Sequence, residues 1–341
     1  MKHTIIRACA ATGAGLRHAA LPLALAVLSI GAGIPSAAMA QRGEAYPTKP
    51  IRLVVPFAAG GGTDMVGRVM APRLAERLGR PVLVENRGGA GAVIGTTLVA
   101  RAIPDGYTLL VVDTAHTIQP VLQKLEYDPV KSFSLIASLV KGDTVLTVPA
   151  SLPANTLQDF IALARQKPGT LVAGTAGLGS SGHMGVELFK VMSKIDIVVA
   201  HYKGGGAATS DLLGGQIHMS SITIQAVIPH AKAGRLRGLG VGGATRSPLM
   251  PEVPTVEESG LPGYLTTGWR GLVGPAGVPA AIVQRLTGEV RTILASEEVK
   301  AHFVNNGMEA DYRSPREFAT YIGDEMRRWQ AVVQKANIRL E

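Results

Sequence analysis

The chain has 341 residues, 34 Lys and Arg against 25 Asp and Glu, and a single cysteine, Cys9. The basic excess is dispersed, with no Lys/Arg run and no interleaved aromatics, which argues against a nucleic-acid surface. A chain of this length buries a sufficient core without disulfides, and no stretch after residue 40 approaches the ~20 apolar residues of a spanning helix.

Residues 1–40 have the form of an export signal. Lys2, Arg7 and Arg17 precede the apolar run LPLALAVLSIGAGI, and Ala38-Met39-Ala40 follows as an A-x-A cleavage site. Cleavage after Ala40 predicts a mature chain that begins at Gln41. That chain carries 31 basic and 25 acidic residues, a net charge of +6, and no thiol. A mild positive bias suits small anionic solutes.

From residue 51 onward, short β-branched runs alternate with longer helical stretches, the pattern of a parallel α/β architecture. IRLVVPF (51–57) reads as a strand and residues 63–79 as a helix containing Pro72. PVLVENR is a strand, AVIGTTLVARAI a helix and YTLLVVD (107–113) a strand. A second unit begins at DTVLTVP (143–149). It continues with helix 157–169, strand 170–176, helix 183–194 and strand 195–202. AATSDLLGG then reads as a short helix, IHMSSIT as a strand, AVIPHAKAGRL as a helix and RGLGVGG as a strand. Two strong helices close the chain, 280–296 and 315–336, the latter opened by Ser314-Pro315-x-Glu317, a capping box.

GTAGLGSSGH (174–183) contains G-x-G-x-x-G at Gly177, Gly179 and Gly182. A dinucleotide site also needs an acid at the end of the next strand to hold the ribose. Asp196 precedes that strand, which ends in His201, Tyr202 and Lys203. A serine hydrolase using Ser181 with His183 lacks G-x-S-x-G, and a helix-capping hydroxyl explains Ser180 or Ser181 as well. The mature histidines 116, 183, 201, 218, 230 and 302 show no metal-ligand spacing. No cofactor, metal or catalytic residue is assigned.

A third reading uses geometry alone. VVPFAAGGGTD (54–64) and AGTAGLGSSGH (173–183) are both strand, glycine loop and helix start. Backbone N–H groups and the positive end of a helix hold a carboxylate without any arginine. Asp64 is expected to be the N-cap of its helix, since a carboxylate at the contact would repel an anion.

Seven segments carry a resemblance: YPTKPIRLVVPFAAGGGTD, VENRGGAGAVIG, PDGYTLL, YDPVKSF, YKGGGAATSDLLGGQ, RSPLMPEVPTVEESGLPG and GLVGPAGVP. As an ordered set, from about residue 46 to the C-terminus, they resemble the Bug family, the TctC-like solute-binding proteins of tripartite tricarboxylate transporters. The resemblance implies a periplasmic α/β protein of the two-lobed Venus flytrap fold, each lobe a mainly parallel sheet flanked by helices. It places lobe one at 41–143 and 265–341, lobe two at 144–264 and a ligand cleft between them. It implies a monomer that closes on a small carboxylate, either for the membrane subunits of a transporter or for a periplasmic sensor. The ligand-binding residues it implies are Phe57, Ala59, Gly60, Gly61 and Asp64 in the first loop. Thr114 and His116 follow from the family's S-T-H-A segment, then Thr175, Gly177, Ser180, Ser181 and His183 in the second loop, and Tyr202. Four positions depart from the family pattern: Ala115 for a hydroxyl, His201 for proline, Ile222 for an acid and Arg270 for an apolar residue. Loss of the acid at Ile222 favours a ligand with no ammonium group.

Overall fold

The computed structural model describes residues 46–336 and 338, apart from 203. The export signal, its cleavage site, Cys9 and Lys203 lie outside the described residues. The first elements are β1 (Ile51–Val55), α1 (Gly62–Leu78), β2 (Val82–Asn86), α2 (Val93–Ala100), β3 (Thr108–Asp113) and α3 (Ala115–Leu122). The 17-residue strand β4 (Phe133–Pro149) leads into α4 (Leu157–Gln166), β5 (Val172–Thr175), α5 (Ser181–Ser193), β6 (Val198–His201) and α6 (Gly205–Leu213). Next come β7 (Met219–Thr223), α7 (Ile224–Lys232), β8 (Leu236–Val241) and β9 (Thr267–Pro275). The chain ends with α8 (Ala280–Ala295), α9 (Glu297–Asn305), β10 (Glu309–Arg313) and α10 (Pro315–Ala336).

The strands form one path, β2-β1-β3-β9-β4-β7-β5-β6, and β10 and β8 also pair with β4. Each end of the path is a parallel run, β2-β1-β3 or β7-β5-β6. Parallel neighbours require crossovers, and α1, α2, α5 and α6 supply them. The connecting strands β9 and β4 are antiparallel to their neighbours. β4 pairs with β9 from Phe133 to Asp143, then with β7 and β8 from Thr144 onward. Its partners therefore change between Asp143 and Thr144.

Side-chain alternation explains the layers. In β1, Ile51, Leu53 and Val55 face a core shared with Leu74 of α1, Leu286 of α8 and Phe303 of α9. Val54 points to the opposite face, with Leu110, Trp269, Phe318 and Ile322. The other half repeats the plan, with Leu146, Val148, Phe160, Phe189 and Met219 on one side. Val145, Ile222, Val227 and Val241 fill the other. Trp329 of α10 packs on Ile118 of α3 and Met184 of α5, so the last helix ties the two halves together. Half of the expected Ser314 box forms: Glu317 reaches back to accept from the Ser314 backbone N–H at 2.9 Å, but the Ser314 hydroxyl donates to the same carboxylate, at 2.6 Å, where the box has it accept from Glu317 N–H.

Candidate functional site

Both glycine loops sit where a parallel strand gives way to a helix. The first runs from Phe57 to Gly61, between β1 and α1. Gly60 has φ +87°, a conformation that L side chains rarely adopt. α1 begins at Gly62 with Gly61 as N-cap, and no side chain caps it. Its first N–H groups are thus left for an outside acceptor.

Asp64 is therefore not the N-cap. It lies in the first turn, 2 % exposed, and its carboxylate accepts from Gly60 N–H and Arg68 Nε, each at 2.8 Å, and from Asn86 Nδ2 at 2.8 Å. The helix can start earlier because Asp64 reaches back to the loop instead of covering the helix end. Burial pushes its carboxyl upward, but the hydrogen bonds from Arg68, Gly60 and Asn86 outweigh it and hold it below the ordinary carboxylate range. Asn86 also donates to Phe57 C=O at 3.0 Å, so the loop is anchored at both ends. Phe57 is half-buried, while Ala59, Gly60 and Gly61 are exposed.

In the second loop, Gly177 (φ +136°) and Gly179 (φ +72°) occupy backbone conformations that favour glycine. Gly182 has a different reason: a Cβ there would collide with the backbone carbonyl of Ser221 in β7. The three fingerprint glycines thus shape a turn and a close helix–strand contact. Ser180 is the N-cap of α5, its hydroxyl accepting from His183 N–H at 3.1 Å. His183 Nδ1 accepts from Gly179 N–H at 3.1 Å, so the neutral ring carries its proton on Nε2. Burial, with a contribution from His201 and Lys190, lowers His183 to about 3. The acceptor nitrogen of this ring therefore serves Gly179 N–H and not a serine hydroxyl.

Other expected ligand residues make internal hydrogen bonds. Thr175 is fully buried and its hydroxyl pairs with His201 Nδ1 at 2.9 Å. The His183 and His201 rings meet edge to face, with centroids 4.6 Å apart. Thr114 Oγ1 accepts from Trp269 N–H at 3.1 Å. His116 Nε2 donates to Pro129 C=O at 2.8 Å inside an aromatic cluster with Tyr127 and Phe133, and burial lowers its pKa to about 4. The Tyr202 hydroxyl donates to Asp211 at 2.7 Å.

Several residues join the two loops; of those outside the loops, only Arg270 is singled out in the sequence. Gln119 of α3 donates to Leu178 C=O of the second loop at 3.1 Å. Gly91 lies so close that a Cβ there would sit 2.7 Å from the same carbonyl. At the start of α1, a Cβ on Gly62 would lie 3.0 Å from Arg270 Nη2 and 3.3 Å from Gln225 Nε2. A Cβ on Gly268 would lie 3.5 Å from Arg270 Nη1 and 3.6 Å from Ser181 Oγ. The N-terminal residues of α1 and α5 thus border one space, together with Arg270 of β9 and Gln225 of α7. Asp113 stands opposite Arg270 in the β3–β9 ladder. Its carboxylate accepts from Thr63 Oγ1 at 3.1 Å and from Ala115 N–H at 3.0 Å. Burial raises Asp113, partly offset by Arg270, and lowers Arg270, partly offset by Asp113. The one signal in the sequence for this arrangement is an arginine inside the apolar run TGWRGLVG.

A cavity of about 670 Å³ is lined by Gln158, Arg237, Arg246 and Glu258, away from the two loops. Another of about 170 Å³, lined by Lys141, Asp143, Thr267 and Met308, adjoins the site, since a Cβ on Gly62 would lie 3.2 Å from the Met308 methyl. Among the described residues, no three His, Cys, Asp or Glu side chains converge as a metal site, and no helix is long and apolar enough to cross a membrane.

The chain resembles known proteins in sequence and fold. The sequence model of the tripartite tricarboxylate transporter family receptor matches residues 66–338. Protein BugT of Bordetella pertussis is 34% identical over 320 residues, covering 93% of this chain and 98% of BugT. A protein of R. palustris solved with adipate superposes with a TM-score of 0.83 at 34% identity, covering 86% of this chain and 99% of that one. MatC of Rhodopseudomonas palustris, solved with bound malate, gives a TM-score of 0.80 at 32% identity, covering 84% of this chain and all (100%) of MatC. The fold is the two-lobed α/β architecture of these solute-binding proteins.

Proposed function

Because the chain belongs to the tripartite tricarboxylate transporter receptor family of periplasmic solute-binding proteins, we propose that it captures a small carboxylate-bearing solute between its two glycine loops and releases it unchanged. The observation that carries this reading is the convergence of two helix N-termini, at Gly62 and Ser181, on one space. Each contributes roughly half a positive charge and free N–H donors, a pair of groups suited to an oxyanion. Adipate and malate in the solved neighbours are solutes of that chemistry.

In this reading the solute is met by backbone donors of Gly61 and Gly177 and by the Ser181 hydroxyl, with Phe57, Ala59 and Gly60, whose N–H is held by Asp64, at the rim. Asp64, Thr114, His116, Thr175, Ser180, His183 and Tyr202 act one layer out, holding the loops in shape through the hydrogen bonds described above. The lobes meet where β4 changes partners: 41–143 with 265–341, and 144–264. Closure is a bend of β4 and β9. Ile222 is packed with Val145 and Val241 and brings no charge, so the solute is expected to lack an ammonium group. Export by cleavage after Ala40 delivers the monomer to the periplasm, where it serves a transporter's membrane subunits or a sensor.

The test is a thermal-shift screen of chain 41–341 after unfolding and refolding, against malate, adipate, citrate, glutamate, benzoate and NAD. A ligand at 100 times its Kd adds about 2.7 kcal/mol, a shift of several degrees. A shift with one carboxylate class, the solute recovered intact, supports the reading. A shift with NAD alone, or ester turnover abolished by Ser181→Ala, would replace it.

A further inference from the structure

Arg270 is 6 % exposed, yet its Nε and Nη1 have no hydrogen-bond partner among the described residues. A buried guanidinium with idle donors is costly unless something pairs with it. Asp113, its ladder partner, uses its two oxygens on Thr63 and Ala115, and acts on Arg270 through its charge. The surroundings raise the cost. Nη2 faces Gly62, first residue of α1, and Nη1 borders the same point beside Gly268 as the hydroxyl of Ser181, first residue of α5. One full positive charge thus stands beside two helix ends of roughly half a charge each, against a single carboxylate.

We propose that Arg270 is the solute's charge anchor and the specificity-determining residue of this protein: its guanidinium fork pairs directly with a solute carboxylate seated between the N-termini of α1 and α5. The inference rests on the solute-binding reading above and deepens it. A planar fork matches a carboxylate through two parallel N–H···O bonds, a fit that an ammonium group cannot reproduce. Gly62 keeps the guanidinium clear, since a Cβ there would press to 3.0 Å from Nη2, while Gly268 borders Nη1 at ordinary contact distance. The neutral donors here, Ser181 Oγ and Gln225 Nε2, serve either side of the same carboxylate. Methyl esters and amides of the solute are excluded, because they leave the guanidinium unpaired.

The experiment compares refolded wild type, Arg270→Gln and Arg270→Lys, with malate, adipate and sulfate as probes, by calorimetry and thermal denaturation. The expected result is an affinity loss of about 10- to 100-fold for the bound carboxylate in Arg270→Gln. Arg270→Lys should recover only part of it. The ligand-free melting temperature of Arg270→Gln should equal or exceed that of wild type. Equal carboxylate affinity in all three proteins overturns the anchor and leaves the solute-binding reading standing. A lower ligand-free melting temperature in Arg270→Gln with unchanged affinity assigns Arg270 to a structural pair with Asp113. If no carboxylate of the screen above binds wild type but sulfate stabilises it more than Arg270→Gln, the anion anchor stands and the solute-binding reading falls. No stabilisation of wild type by sulfate or by any carboxylate of that screen overturns both. Should Arg270→Gln fail to fold, Arg270→Lys tests the fork alone: an affinity below wild type supports the anchor, and an affinity equal to wild type overturns it.

Discussion

Replacing Asp64 by alanine should cost about 3 kcal/mol of stability, well beyond the ~1 kcal/mol of an exposed cap. The carboxylate is 2 % exposed and accepts three hydrogen bonds. Gly60 N–H loses its acceptor altogether, a charge-assisted bond worth about 1.5–3 kcal/mol. Asn86 keeps Phe57 C=O as a second acceptor, so its share is nearer 1 kcal/mol. Arg68 is 55 % exposed, and screening leaves that ion pair only a few tenths. Urea unfolding of wild type and variant at pH 7 reads the difference. The sign of the pH dependence is a second check. The folded carboxyl is held below its unfolded value, so its stabilisation is complete above about pH 4 and is lost as pH falls through the folded value. The gap between wild type and variant should stay constant from pH 5 to 8 and close in acid. A loss under 1 kcal/mol, or a gap that widens in acid, would refute the anchoring role.

Other substitutions separate scaffold from contact. Gly182→Ala drives a Cβ into Ser221 C=O and should cost about 1–3 kcal/mol, read as a lowered melting temperature; wild-type stability would mean α5 can move off β7. Ser181→Ala should weaken carboxylate binding by about 1–3 kcal/mol with ligand-free stability unchanged; unaltered affinity by calorimetry would remove this hydroxyl from the site. Thr175→Ala, by contrast, breaks the buried pair with His201 and should act on stability first. His116 and His183 are buried neutral with pKa values of about 4 and 3. Unfolded histidine binds a proton from about pH 6.5, so stability falls as pH drops below that, by about 2 kcal/mol each at pH 5; a flat urea midpoint from pH 7 to 5 would contradict it.

The parts legible in the sequence are those whose signal is local. Amphipathic helices such as α8 and α10 and the runs that became β1, β3 and β5 are recognisable because one period repeats within one segment. β9 is not, since TGWRGLVGP mixes three glycines and an arginine into an apolar run. It is a strand because β3 and β4 both pair with it, and Gly271 makes room for the Phe318 ring. The first part of β4, FSLIASLVKG, hides similarly, being buried without alternation. α3, α9 and β10 also went unassigned, two short helices and a strand that rely on tertiary partners. The two glycine loops were legible as strand–loop–helix junctions. The burial of Thr175, the occupied carboxylate of Asp64 and the approach of Arg270 to Gly62 were not, because each depends on contacts between distant segments.

β4 carries more than a change of pairing partners. Phe133 and Leu135 belong to one apolar group, Ile136, Leu139 and Val140 to a second, Val145 to a third, and Leu146 and Val148 to a fourth. One strand therefore threads four packing cores in 17 residues. Pulling it out would empty all four together, so the protein should melt in a single cooperative step despite its two-lobed shape. Either lobe made alone would lose half of this strand's neighbours and expose its ladder as a raw sheet edge. A biosensor or split reporter built on this scaffold should be cut in a surface turn, with β4 left whole in one fragment.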